Sequence, residues 1–141
     1  MNSTTAAHES VWFDQSRALA AAGGDVAVLR EIAALFLEDV PQRIGDLHEA
    51  LAVQDHERLA HQAHSIRGSA VVFGSEATAQ AALRLELLAV QRRSEAVPGA
   101  VAELGDALGK LMEALQDFLS EQGDPPLASS ASARPDDRRG T

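Results

Sequence analysis

The last third of the chain contains an apolar repeat whose side chains share one face only if the segment is a helix. Large apolar residues recur there at alternating steps of three and four, namely at Val101, Leu104, Leu108, Leu111, Leu115 and Phe118. An α-helix turns once in about 3.6 residues, so this spacing gathers all six side chains into one stripe, whereas a strand would scatter them over both faces. The chain is therefore predicted to fold by packing helices.

A second long helix is predicted to begin after Asp25, which can act as its N-cap. Its apolar positions keep the same spacing, at Leu29, Ala33, Phe36, Val40, Ile44, Leu47 and Leu51. Pro41 lies inside this run and removes one backbone donor, which bends a helix. Because the apolar phase continues past Pro41, we expect one bent helix and not two separate ones.

Two shorter helices are predicted between these long ones. The first runs from its N-cap Asp55 to about Phe73, with Gly74 as its C-terminal cap. Its inward stripe is predicted at Leu59, Ala63, Ile66, Ala70 and Phe73. The next begins at Ser75 as N-cap and ends near Gln91, and its inward residues are predicted to be Leu83, Leu87 and Val90. A short first helix, anchored by Trp12 and Phe13, precedes all of these and stops at the glycines 23–24.

These elements predict an all-α protein, an antiparallel up-down four-helix bundle with a short extra N-terminal helix. Only 4% of the residues are aromatic, which suits closely packed helices better than a sheet. Residues 1–10 are predicted to be a flexible N-terminus and residues 11–122 the bundle domain. Residues 123–141 are rich in Pro, Ser and charge, with Leu127 as their only large apolar side chain, and are predicted to be a disordered tail.

Composition excludes several classes of function. The chain has no cysteine, so disulfides and thiolate metal sites are absent. Its formal charge of −9 disfavours binding to nucleic acid or to an anionic membrane surface. No segment is long and apolar enough to span a membrane, and the first ten residues do not resemble a secretion signal. We expect a cytoplasmic monomer, free-standing and without a bound metal or cofactor.

His64 is predicted to point away from the core. At about 100° per residue, it lies roughly 140° from the centre of the inward stripe of its helix. Ala60, Gly68 and Val71 share its face, and Glu57 and His61 lie close by. Glycine in a helix interior costs about 1 kcal/mol relative to alanine, and clearance beside the imidazole can account for this cost at Gly68. Arg67 can bring a cation to the same side, so the face is suited to accept an anionic group, of which phosphoryl is the obvious one.

The stretch AHSIRGSAVVFGSEA, with LRLELL after it, resembles the signature of histidine-containing phosphotransfer (HPt) domains. The matching residues are Ala63, His64, Arg67, Gly68, Ser69, Gly74, Ser75, Leu85 and Glu86. The resemblance implies a relay protein that is not an enzyme and does not bind ATP. His64 would take a phosphoryl group from a receiver domain of a hybrid histidine kinase and pass it to a response regulator, with Mg²⁺ held by the receiver.

The resemblance also implies roles for the residues around His64. Arg67 would support charge and Gly68 would provide clearance, whereas the roles of Ser69 and Glu86 are less defined. The partner surface would comprise Glu57, Ala60, His61 and Val71. Lysine is commoner than arginine at position 67, so an altered rate or partner preference is expected there.

Two other functions remain open from the residues. The first is a metal-binding bundle, because Glu57, His61 and His64 share a face at helical spacing. Di-iron bundles, however, use Glu-x-x-His pairs that face the core, and no histidine here has a glutamate three residues before it. The second is a docking or inhibitory module in which His64 is not used, because a surface for a receiver would look the same.

Overall fold

The computed structural model describes residues 11–123, which form five helices and no strand. In chain order these are α1 (Gln15–Ala21), α2 (Val26–Ala52), α3 (His56–Val72), α4 (Glu76–Val90) and α5 (Val97–Gly123). The predicted flexible segment 1–10 and residues 124–141 of the predicted tail lie outside the described residues.

The four longer helices pack in a closed ring. Helix α3 contacts α2 and α4, and α5 contacts α4 and α2, which closes the ring around one core. The short α1 packs against α2 and α3. The predicted four-helix bundle with a short extra helix at its N-terminal end is therefore confirmed. None of the helices described is both long and apolar enough to cross a membrane.

Helix boundaries follow the capping residues. The Asp25 carboxylate accepts hydrogen bonds from the N–H groups of Ala27 (2.9 Å) and Val28 (3.4 Å), and Asp55 accepts one from Arg58 at 3.0 Å. Helix α2 runs without interruption through Pro41, as expected, and its bend stays a prediction. Gly74 ends α3 with a φ of 63°, a conformation in which glycine is favoured.

The apolar stripes predicted for three helices form most of the core. All five predicted positions of α3 and all six of α5 are buried, as are five of the seven on α2. Ile44 and Leu51 are only half-buried at the edge of the core. Four phenylalanine rings meet at one end. The Phe73 centroid lies 6.5 Å from that of Phe13 and 5.1 Å from that of Phe36, and the Phe13 centroid lies 5.6 Å from that of Phe118.

Helix α4 faces the core with a different side from the one predicted. Leu87 is 50% exposed and Val90 66% exposed, and Leu83 is only half-buried. The buried residues of α4 are smaller on average, namely Thr78, Ala81, Ala82, Leu85 and Ala89. The prediction gave weight to large side chains. The bundle instead buries alanines on this helix, which let its backbone approach α3 and α5 closely.

Ser75 occupies the N-cap position of α4 but does not cap it with its side chain. Its hydroxyl donates to Thr78 Oγ1 at 2.8 Å, and no backbone N–H of the first turn donates to the Ser75 hydroxyl. Both side chains are buried, so this bond satisfies a polar pair inside the bundle.

Candidate functional site

His64 projects into solvent from the middle of α3. Its side chain is 66% exposed, whereas Ala63 and Ile66 on either side of it are fully buried. The side chain therefore points away from the bundle core, and its imidazole is accessible to another molecule.

The face of α3 around His64 carries small or short side chains. Gly68, one turn after His64, is exposed, and a Cβ atom placed on it would meet no atom within 4 Å. Val71 is exposed and Ala60 is half-buried. Glu57 and His61, which lie nearer the N-terminus of α3, are also exposed on this face. Gly68 therefore does not serve helix packing, and its missing side chain leaves space beside the imidazole.

Glu86 of α4 is brought next to His64 by the packing of α3 against α4. Its Oε2 lies 3.1 Å from His64 Nδ1, and its Oε1 lies 3.4 Å from Nη2 of Arg67. Nη2 of Arg67 is in turn 3.4 Å from His64 Nδ1. The structure thus brings together an imidazole, a carboxylate and a guanidinium from two helices.

The contacts at Nδ1 determine which nitrogen of His64 carries the proton. An ionised carboxylate can only accept a hydrogen bond, so an unprotonated Nδ1 would place its lone pair against the Glu86 oxygen. A protonated Nδ1 donates to Glu86 instead, and the Arg67 guanidinium then pairs with the carboxylate. We therefore assign the proton to Nδ1. The free lone pair of the ring consequently lies on Nε2.

Arg67 and Glu86 are incompletely bonded to each other. Nε of Arg67 and Oε1 of Glu86 are both buried and lack a hydrogen-bond partner among residues 11–123, although Oε1 faces the guanidinium. The Arg67 side chain is about one-third exposed, at 35%. Its donors are therefore available to an anion that reaches His64, and such an anion would form stronger charge-assisted hydrogen bonds.

Ser69 does not contact this cluster in the structure. It is half-buried and lines a groove of about 520 Å³ between α2 and α3, together with Ile32, Leu35, Phe36 and Val72. Of the residues singled out in the sequence, His64, Arg67 and Glu86 lie together, and Ser69 lies on another side of α3.

Arg43 of α2 also reaches α3 next to the site, although no sequence pattern indicated it. Its Nη1 donates to Oγ of Ser65 at 2.9 Å, and its Nε donates to Oδ2 of Asp39 at 2.5 Å. Arg43 and Ser65 are 22 residues apart in the chain, so only the packing of the two helices reveals this contact. The side of His64 that faces α2 is therefore polar.

The ligand set suggested for a metal is not assembled. Within residues 11–123, no three His, Asp or Glu side chains lie close enough together to hold a metal ion. Glu57, His61 and His64 share a face of α3 but do not converge on a common point. The structure therefore provides no support for the metal-binding alternative.

A family model described as Hpt domain matches residues 31–123, which is about two-thirds of the chain. The chain belongs to the Hpt domain family. Its HPt domain therefore serves phosphotransfer in phosphorelays, as a carrier of the phosphoryl group and not as a catalyst. No curated protein sequence gives a significant match.

Two crystal structures of HPt domains share the fold of this chain. One is the HPT domain from the Hpt sensor hybrid histidine kinase from Shewanella, with a TM-score of 0.69 and 19% identity over 79% of this chain and 96% of that one. The other is histidine-containing phosphotransfer protein B (HptB) from Pseudomonas aeruginosa PAO1, with a TM-score of 0.72 and 19% identity over 77% of this chain and 95% of that one. Each of these domains is matched over almost its entire length, so the HPt fold is complete here.

Proposed function

We propose that His64 is the phosphoryl acceptor of this HPt domain and that its Nε2 is the nucleophile. The donor is the aspartyl phosphate on the receiver domain of a hybrid histidine kinase, and the next acceptor is the aspartate of a response regulator, in a cytoplasmic relay. The observation that carries the proposal is an exposed imidazole whose Nδ1 faces a carboxylate at 3.1 Å, which leaves the Nε2 lone pair free.

The transfer is a single displacement at phosphorus. Nε2 of His64 forms a bond to phosphorus while the bond from phosphorus to the aspartyl oxygen breaks, and the aspartate leaves as a carboxylate. The ring becomes positively charged as the new bond forms, and the Glu86 carboxylate at Nδ1 stabilises that charge. Neither a nucleotide nor a metal of the HPt domain takes part, and the Mg²⁺ of the reaction belongs to the receiver.

Arg67 is proposed to interact with the incoming phosphoryl oxygens. In the free protein its guanidinium is loosely paired with Glu86, and it can turn its donors from there towards the phosphoryl group. A planar guanidinium can bind two phosphoryl oxygens at once, whereas a lysine ammonium acts as a point charge. Arg67→Lys is therefore not a neutral change at this site.

The proposal is tested by transfer of labelled phosphate from a phosphorylated receiver domain to the wild-type protein and to a His64→Gln variant. Labelling of the wild type alone supports it. Equal labelling of both proteins would contradict it and would favour a docking or inhibitory module in which His64 is not used. The exposed residues of the same face, Glu57, His61 and Val71, together with Ala60, are proposed to contact the receiver.

Gly68→Gln is expected to slow transfer at least about tenfold without destabilising the fold. A Cβ at this position meets nothing within 4 Å, and glutamine is a better helix former than glycine, so the thermal midpoint should stay the same or rise. The longer side chain would stand one turn from His64 and obstruct the receiver. The measurement is the rate of phosphoryl transfer together with thermal unfolding followed by circular dichroism.

Gly99→Gln is the matched control for this change. Gly99 is also helical and exposed, and a Cβ there likewise meets nothing within 4 Å, but it lies at the start of α5, whose main contacts are with α4 and α2. The control variant should transfer at the wild-type rate. A normal rate for Gly68→Gln would show that clearance at this position is unnecessary.

Glu86→Ala is expected to change the tautomer of His64 and to lower the transfer rate about tenfold. The alanine removes the acceptor that holds the proton on Nδ1 and the carboxylate that stabilises the charged ring. Nitrogen-15 NMR of the imidazole reports the proton position directly, and transfer from a phosphorylated receiver reports the rate. Glu103→Ala, which removes an exposed carboxylate of α5, is the control. An unchanged ring spectrum in Glu86→Ala would refute the assignment of the proton.

A further inference from the structure

Arg43 connects α2 to the residue that follows the proposed acceptor. Its Nη1 donates to Oγ of Ser65 at 2.9 Å, and its Nε donates to Oδ2 of Asp39. Asp39 lies one turn before Arg43 on α2, so its carboxylate fixes the direction of the planar guanidinium. The Arg43 side chain is only 26% exposed. It is therefore held in one orientation, with its second donor directed at α3.

The Arg43–Ser65 bond lies between two hollows in the surface where α2 meets α3. On one side is the groove of about 520 Å³, and on the other is a polar cleft of about 380 Å³ that His61 helps to line. No other side-chain hydrogen bond within residues 11–123 joins α2 to residues 61–73 of α3. This bond is therefore the polar contact that holds this part of α3 to α2.

On its opposite side, α3 is bonded to α4 at the same level. Glu86 lies 3.1 Å from Nδ1 of His64 and 3.4 Å from Nη2 of Arg67. Ser65 is joined to His64 by one peptide unit, with the two Cα atoms about 3.8 Å apart. Glu86 thus orients the imidazole ring, whereas Arg43 fixes the backbone that carries the ring.

The position of that backbone matters for the transfer proposed above. Nε2, phosphorus and the leaving aspartyl oxygen have to be in line, with the reacting atoms about 3–3.5 Å apart, and a misplacement of about 1 Å can cost about 100-fold in rate. The receiver aligns its aspartyl phosphate against the bundle as a whole. A shift of α3 relative to α2 therefore moves the imidazole out of line.

We propose that Arg43 is a positioning residue for phosphoryl transfer, which acts through Ser65 to hold α3 against α2 and so keeps His64 in line with the incoming phosphoryl group. The inference rests on the proposed function of His64. Arg43 does not itself contact the phosphoryl group, because its donors are engaged by Asp39 and Ser65. Its role is thus distinct from that of Arg67, whose donors are available to an anion.

The test uses Arg43→Gln, Ser65→Ala and the double variant in the full chain. Glutamine removes the charge and the planar guanidinium, whereas Ser65→Ala removes the acceptor and keeps the charge of Arg43, and both new residues suit a helix. Arg58→Gln is the matched control. Arg58 also joins α3 to α2, since its Nη2 donates to Oε1 of Glu49 at 2.8 Å, but it lies about 9 Å from His64 along the helix.

Each protein receives phosphate from increasing concentrations of a phosphorylated receiver, and separately from phosphoramidate, a small donor that aligns itself on an exposed imidazole. Arg43→Gln and Ser65→Ala are each expected to lower the maximal rate of transfer from the receiver about tenfold, with an unchanged half-saturating concentration. The double variant should be no slower than Arg43→Gln, because both changes break one bond. Arg58→Gln should transfer at the wild-type rate, and phosphoramidate should label all four variants normally.

Four results would overturn the inference. They are an unchanged maximal rate in Arg43→Gln, a normal rate in Ser65→Ala, an equal loss in Arg58→Gln, and slower labelling of Arg43→Gln by phosphoramidate. The second would mean that Arg43 acts through its charge, and the third that any loosening of α3 slows transfer. A rise in the half-saturating concentration alone would make Arg43 a contact of the receiver and would also contradict positioning. If neither donor labels the wild type at His64, the proposed function itself fails.

Discussion

His64→Gln is expected to lower phosphoryl acceptance at least about 1,000-fold, to the background of the assay, because the amide of glutamine has no nucleophilic lone pair equivalent to imidazole Nε2. The side chain is 66% exposed and its ring packs into no core, so the variant should fold with a stability within about 0.5 kcal/mol of wild type. The measurement is transfer of labelled phosphate from a phosphorylated receiver, with thermal unfolding as the check on folding.

The matched control is His61→Gln. His61 is exposed on the same helix, about one turn before His64, and it is proposed to contact the receiver. This control is therefore labelled with phosphoramidate, a small phosphoryl donor that needs no docking surface, and its labelling should stay close to the wild-type level. His48 is exposed on α2 and His56 is buried at the start of α3, and neither is expected to carry phosphate. Residual labelling of His64→Gln that disappears when His61 is also replaced would move the acceptor by one turn and contradict the assignment.

Gly74→Ala is expected to destabilise the domain by about 3 kcal/mol, the largest effect on folding among the single changes considered. The φ of Gly74 is 63°, a left-handed conformation that costs other residues roughly 1–2 kcal/mol. A Cβ atom there would also lie 2.7 Å from Cβ of Asp14, and relief of such a clash costs a further 1–3 kcal/mol or so.

The clash lies where Asp14, the N-cap residue of α1, meets the turn between α3 and α4. The N–H of Asp14 donates to the carbonyl of Phe73 at 3.0 Å, and the ring of Phe13 is buried against Phe73 and Phe118. Movement of Asp14 away from residue 74 would therefore disturb both the N-cap of α1 and the aromatic end of the core. Urea denaturation gives the free energy of unfolding directly, and the thermal midpoint should fall by roughly 10 °C.

Gly45→Ala is the control for this prediction. Gly45 lies in the middle of α2, is exposed, and has no atom within 4 Å of a Cβ placed on it. Alanine there should stabilise the helix by about 0.5–1 kcal/mol. Equal stability of Gly74→Ala and wild type would mean that the α3–α4 turn adapts to a side chain at little cost.

The sequence predicted most of the fold because the relevant signals are local. The stripe of α5 keeps one phase over five turns, and Asp25 and Asp55 cap helices through atoms two or three residues away. Such signals depend on the geometry of a single helix and can be read without knowledge of its neighbours. The exposure of His64 follows from the phase of α3 in the same way.

Helix α4 shows where this reasoning ends. Its leucines and alanines both occur at helical spacing, so periodicity permits more than one inward side, and the wrong one was predicted. The close packing of α4 against α3 and α5 selects the side with alanines and leaves Leu87 and Val90 exposed. That choice depends on the shapes of the neighbouring helices, which a pattern within one helix does not contain.

By itself, then, the sequence determined the helices, their caps and the outward direction of His64, since each depends on residues within a few turns of one another. The tertiary structure decided which atoms surround the imidazole. Glu86 lies 22 residues from His64 in the chain, and only the packing of α4 on α3 brings its carboxylate to Nδ1 and Arg67. The proton position and the free nitrogen both follow from that contact between helices.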